Sequence, residues 1–140
     1  MSRLESIRPD VLAHPLHKAC ELSVTHAADG RAETRFAVNA FTVNPQGILH
    51  GGIVYAMVDV SCFFALASQL PADRHPVTAE IHCSLLRGAR DGESVLVRSH
   101  VDRLGRSLAA MRADVLVLRE EGEVLIATGS VTKAIVASAR

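Results

Sequence analysis

The chain has 140 residues, 49% of them apolar and 21% charged, which is enough apolar material for a buried core and too much for a disordered chain. Its 15 Lys+Arg balance 15 Asp+Glu, so formal charge is zero and no basic run exists; general electrostatic binding to nucleic acid is excluded, and self-association is easy. Three cysteines (Cys20, Cys62 and Cys83) with no C-x-x-C spacing argue against a disulfide framework or a structural zinc, and read as reduced thiols of a cytoplasmic protein.

Residues 1–140 are expected to form one domain, with residues 1–8 a loose N-terminus that has no apolar leader. Asp10 to Cys20 predicts a short helix broken at Pro15. Two strands, Glu21 to His26 and Arg31 to Val38, flank Ala28-Asp29-Gly30, a hairpin signal. Asn39 to Leu49 holds Asn44, Pro45 and Gly47 and reads as a loop.

Gly47 to Leu70 is apolar apart from His50 and Asp59, a length that could cross a bilayer. An acid at the midplane would cost about 3 kcal/mol. The stretch is therefore read as a helix from Gly51 to about Gln69, buried by protein and stopped by Pro71, with no membrane partner.

Beyond Pro71 the period changes to two. Strands are predicted over Val77–Leu85, Val95–Asp102, Leu108–Arg119 and Glu123–Val136, separated by turns at Arg90-Asp91-Gly92, Leu104-Gly105-Arg106 and Glu120-Glu121-Gly122. Short turns make sequential strands antiparallel neighbours. The expected class is α+β: a curved antiparallel sheet of about six strands wrapped around one long helix, with open edges that favour a homo-oligomer.

Asp59 is the only ionised side chain between Asn44 and Asp73. A carboxylate among Val58, Val60 and Phe63 needs a partner, hydrogen bonds or a raised pKa, and active sites accept that cost. Gly51 and Gly52 open the same helix, where close backbone approach and free N–H groups suit a carbonyl oxygen that gains charge. Gly51 and Asp59 stand eight residues apart, which is about 12 Å of helix. One small reacting group cannot touch both, so if both act on it, one must come from a second copy of the chain.

The run Asn44-Pro45-Gln46-Gly47-Ile48-Leu49-His50-Gly51-Gly52, followed seven residues later by Asp59, resembles the hotdog-fold acyl-CoA thioesterases of the phenylacetate-degradation (PaaI-like) type. The resemblance implies hydrolysis of an acyl-CoA thioester to free acid and coenzyme A, with coenzyme A part of the substrate and no separate cofactor or metal. It implies Asp59 as nucleophile or general base, Gly51 N–H as the group polarising the carbonyl, Asn44 and His50 shaping that pocket, and Thr78 near the attacking water. Arg103 and Arg106 fall where relatives carry a basic turn near the nucleotide of coenzyme A. Val54, Tyr55, Val58, Cys62 and Phe63 are candidates for the acyl pocket. A dimer with shared sites, or a tetramer, is the expected assembly. Two rivals remain: an enoyl-CoA hydratase or dehydratase on the same fold, whose Asp and His motif is not found, and an acyl-CoA-binding module without turnover. Asp59 argues against the latter, because an apolar residue would hold an acyl chain better.

Overall fold

A computed structural model describes residues 1–139. Two short helices, α1 (Arg3–Ala13) and α2 (Pro15–Ala19), precede a hairpin of β1 (Ser23–Ala28) and β2 (Arg31–Ala37). A long helix α3 (Gly51–Ala67) follows, then β3 (Arg74–Leu85), β4 (Ser94–Leu104), β5 (Leu108–Arg119) and β6 (Gly122–Ala137). All six strands form one antiparallel sheet. The hairpin turns at Asp29 (φ 53°) and Gly30 (φ 76°), the left-handed pair a tight two-residue turn demands.

The sheet curves around α3, giving the hotdog architecture. Ten residues of this helix are buried, on more than one face, as expected of a helix that is apolar nearly all round. The facing strand β5 alternates: Ala109, Met111, Ala113, Val115 and Val117 point to the core, and the residues between them are exposed or half-buried. Gly129 of β6 lets α3 come close, since a Cβ there would stand 2.8 Å from Val58 Cγ1. A buried polar pair sets the rotation of the helix: Ser61 Oγ and Ser99 Oγ lie 3.0 Å apart, and Ser99 Oγ donates to Ser61 O at 2.9 Å. With Ser61 turned into β4, Asp59, two residues earlier, projects from a different face of α3.

Two expectations are corrected. Sequential strands are not all neighbours, because the spatial order is β1-β2-β4-β5-β6-β3. β3 lies at the far edge against β6, and the segment from Leu86 to Glu93 carries the chain across to β4, which pairs with β2. The Arg90-Asp91-Gly92 turn closes onto the loop instead, with Gly92 N bonded to Val38 O and Leu49 N to Ala89 O. Nor are residues 1–8 loose. Ser2 and Glu5 form a reciprocal cap on α1, Arg3 N donates to Leu70 O at 2.8 Å, and Leu4 is buried in the core. Pro9 inside this helix masks its signal in the sequence. No helix is long and apolar enough to cross a membrane among the described residues.

Candidate active site

The carboxylate of Asp59 faces β3 and β6. Its Oδ1 accepts from Thr78 Oγ1 at 2.6 Å and from Lys133 Nζ at 2.6 Å, and Lys133 Nζ also donates to Thr78 Oγ1 at 2.8 Å. Register explains the meeting, because Thr78 of β3 is paired directly with Lys133 of β6. The Asp59 side chain is 36% exposed and the Lys133 side chain 2%. The Lys133 ammonium lies 5.9 Å from the Phe63 ring centroid, one helical turn beyond Asp59.

These groups share a cavity of about 250 Å³ with Ala56, Val60 and His75, roofed by Val11, Leu16 and His17 of the N-terminal helices. The segment expected to be loose thus begins the element that covers the acid. His75 Nδ1 accepts from Arg3 Nε at 2.9 Å. Burial first, then the nearby charges of Arg3 and Lys133, hold its imidazole below the usual histidine range. A neutral ring fits the acceptor role.

The other half of the predicted site lies at the start of α3. Asn44 organises the entering loop: its Oδ1 accepts from Gln46 N at 2.9 Å and Ile48 N at 3.1 Å. His50 caps the helix, with Nδ1 accepting from Gly52 N at 2.9 Å. His50 O accepts from Ile53 N and Val54 N. One amide of the first turn remains, that of Gly51, which has no hydrogen-bond partner among the described residues. Gly51, His50, Asn44 and Gly52 take no part in lining the Asp59 cavity.

The proposed acyl-pocket residues divide. Phe63 lines the Asp59 cavity. Tyr55 is half-buried and its Oη donates to Cys83 O at 3.3 Å. Cys62 is fully buried, and burial pushes its thiol up to about 12. Val54 and Val58 are likewise buried in the core. Arg103 and Arg106 are exposed at the β4–β5 turn and do not line the Asp59 cavity. That turn is tied to β6 through Ile135 N and Ser107 O at 2.8 Å, two residues from Lys133.

Lys133 is the residue the sequence reading missed. Its signal was present: Val131, Lys133 and Ile135 share one phase of an alternating strand, and a lysine in step with apolar residues faces inward. Elsewhere, His14 Nδ1 accepts from Leu16 N and His17 Nδ1 meets Val11 O, so both rings serve the backbone. Among the described residues no cluster of His, Cys, Asp or Glu is placed to hold a metal ion. A groove of about 820 Å³ lies beside Ile48 in the loop that enters α3, where Arg119 is paired with Glu93.

The sequence model of the thioesterase superfamily matches residues 46–126, which include the α3 start, Asp59 and Thr78. A putative esterase of Deinococcus radiodurans is 35% identical over 104 residues, spanning 74% of this chain and 68% of that protein. The chain belongs to the thioesterase superfamily. The superfamily match and the relatives named as thioesterases support thioester hydrolysis as its chemistry. Human acyl-coenzyme A thioesterase 13 is 29% identical over 114 residues, covering 81% of this chain and 79% of that protein. Among solved structures, a mutant of the phenylacetic acid degradation protein PaaI from Thermus thermophilus is 28% identical, with a TM-score of 0.76 over 86% of this chain and 98% of that one. A thioesterase family protein of Silicibacter pomeroyi, 24% identical, shares the fold with a TM-score of 0.88 over 97% of this chain and 99% of that one.

Proposed function

We propose that the chain is an acyl-CoA thioesterase whose active site is shared between two copies. The observation that carries this reading is the pair of unfinished features on α3: the unpaired Gly51 amide at its first position and the half-exposed Asp59 two turns on. The helix runs unbroken between them, so about 12 Å separates the two in one chain. A carbonyl that accepts from Gly51 N–H of one protomer and is attacked beside Asp59 of its partner joins both. The open edge of β3, with exposed Val77 and Leu85 along it, supports a second copy there. The naming of a relative as an acyl-coenzyme A thioesterase supports the choice of thioester.

In this reaction the thioester carbonyl becomes an oxyanion at the positive end of α3. Asp59 Oδ2, which has no hydrogen-bond partner among the described residues, takes a proton from water as the oxygen attacks carbon. Collapse of the tetrahedral intermediate breaks the C–S bond, and the proton passes to the departing sulfur. In the nucleophilic variant the same oxygen attacks first, releases the thiolate and forms a mixed anhydride that water cleaves. Thr78 holds Oδ1 in either route. Arg103 and Arg106 are assigned to the phosphates of coenzyme A, and the acyl chain to the cavity wall at Phe63. No resident cofactor is called for.

An acyl-CoA panel, read by thiol release, tests the proposal. Turnover of at least one chain length and its collapse in Asp59→Asn are expected. An Asp59→Asn rate within a few-fold of the parent overturns the assignment.

A further inference from the structure

Lys133 is one of only two lysines in the chain, and it occupies a core position. Its neighbours in phase along β6, Val131 and Ile135, are ordinary core residues. An apolar side chain in that slot would avoid removing an ammonium from water, so burial by itself does not account for a lysine there. Both hydrogen-bond partners of its Nζ, Asp59 Oδ1 and Thr78 Oγ1, belong to the candidate site.

The three groups close on one atom. Thr78 Oγ1 and Lys133 Nζ both donate to Asp59 Oδ1, and Lys133 also donates to Thr78, so the hydroxyl proton is directed at the carboxylate. This occupies one oxygen with two charge-assisted bonds and leaves the other open in the cavity. An unclamped carboxylate would rotate about its terminal torsion, which is broad and two-fold. We propose that Lys133 is a positioning residue for the thioesterase reaction: its ammonium fixes Oδ1 of Asp59 so that Oδ2 is the atom presented to water or thioester. This rests on the role given to Asp59 above. The lysine itself touches no reacting atom. Its stem lies on β6 beyond residue 126, outside the segment that the superfamily model matches.

Two measurements test it. The first needs no turnover. With ¹⁵N-lysine labelling the protein gives two ammonium signals, from exposed Lys18 and buried Lys133. The Lys133 Nζ protons should exchange with water at least tenfold more slowly than those of Lys18, and Asp59→Asn should shift that signal and speed its exchange. Equal exchange at the two lysines, or a Lys133 signal indifferent to Asp59→Asn, overturns the proposal.

The second is kinetic. Lys133→Met keeps the stem and removes the charge; kcat should fall about 10–100-fold with KM within twofold, the scale of a misplaced reacting group. Lys133→Arg should recover part of that loss. A Met variant that loses thermal stability but keeps kcat shows a structural lysine and refutes positioning. If the parent turns over no acyl-CoA at all, the substrate reading fails, and the ammonium signal still decides whether the clamp exists.

Discussion

Proline at position 51 isolates one atom of the proposed chemistry. Gly51 is the first residue of α3, where a helix leaves its N–H unbonded and proline is well tolerated. The preceding residue, His50, has φ −67° and ψ 131°, the extended geometry that proline requires before it. Gly51 is absent from the positive-φ residues, so the ring fits the backbone. The one crowding contact is Leu85 Cδ1, 2.8 Å from an added Cβ. That methyl is the far end of a flexible side chain, so a rotamer change relieves the contact. Gly51→Pro should therefore fold with little change in thermal midpoint while losing the single free amide. One oxyanion donor is worth about 3–4 kcal/mol, or roughly 10²–10³ in kcat. Gly51→Ala carries the same Cβ but keeps the N–H, and should lose less than tenfold. Thermal melts and acyl-CoA kinetics on both variants separate the amide from the crowding. Equal rates for the proline and alanine variants, at equal stability, would refute the oxyanion role.

Mixing inactive Gly51→Pro and Asp59→Asn chains under exchange should restore about a quarter of parental activity, since half the dimers are mixed and each has one intact composite site of two; no recovery places both groups in one protomer. Because His75 has its pKa held below the unfolded value of 6.5, it is neutral in both states well above that pH, and the unfolded chain alone gains the proton as pH falls below it. Stability should therefore decline on acidification through about pH 6, and His75→Gln should flatten that limb in thermal melts at constant ionic strength. All three cysteines are buried, with Cys62 raised to about 12, so native protein should react with an aromatic disulfide reagent orders of magnitude more slowly than the unfolded chain. Rapid labelling of Cys62 would contradict the packing of α3.

Local pattern fixed much of the fold. A helix apolar on every side except at Asp59 has to be surrounded, and the run of two-residue periodicity after Pro71 supplies the sheet that surrounds it. Asp29-Gly30 determined its turn through left-handed backbone geometry, and Asn44 to Gly51 determined the helix entry through side-chain caps that reach two to four residues. The need of Asp59 for a partner was also legible, because an acid in that setting is costly alone.

What that partner is, the sequence did not reveal. Lys133 lies 74 residues away and reaches Asp59 because β6 packs against α3, while β3 crosses to the far edge and sets Thr78 beside it. Strand order is a long-range choice, made by which edges and faces can be buried together, and no local period encodes it. The same applies to α1 and α2, whose roof over the acid depends on contacts with Leu70 and His75 that a capping pattern cannot foresee. Residue types and spacing therefore determined where an acid and a free amide would stand along one helix. Tertiary pairing decided which lysine and threonine hold that acid, because only the assembled sheet brings β6 and β3 against the same helix face.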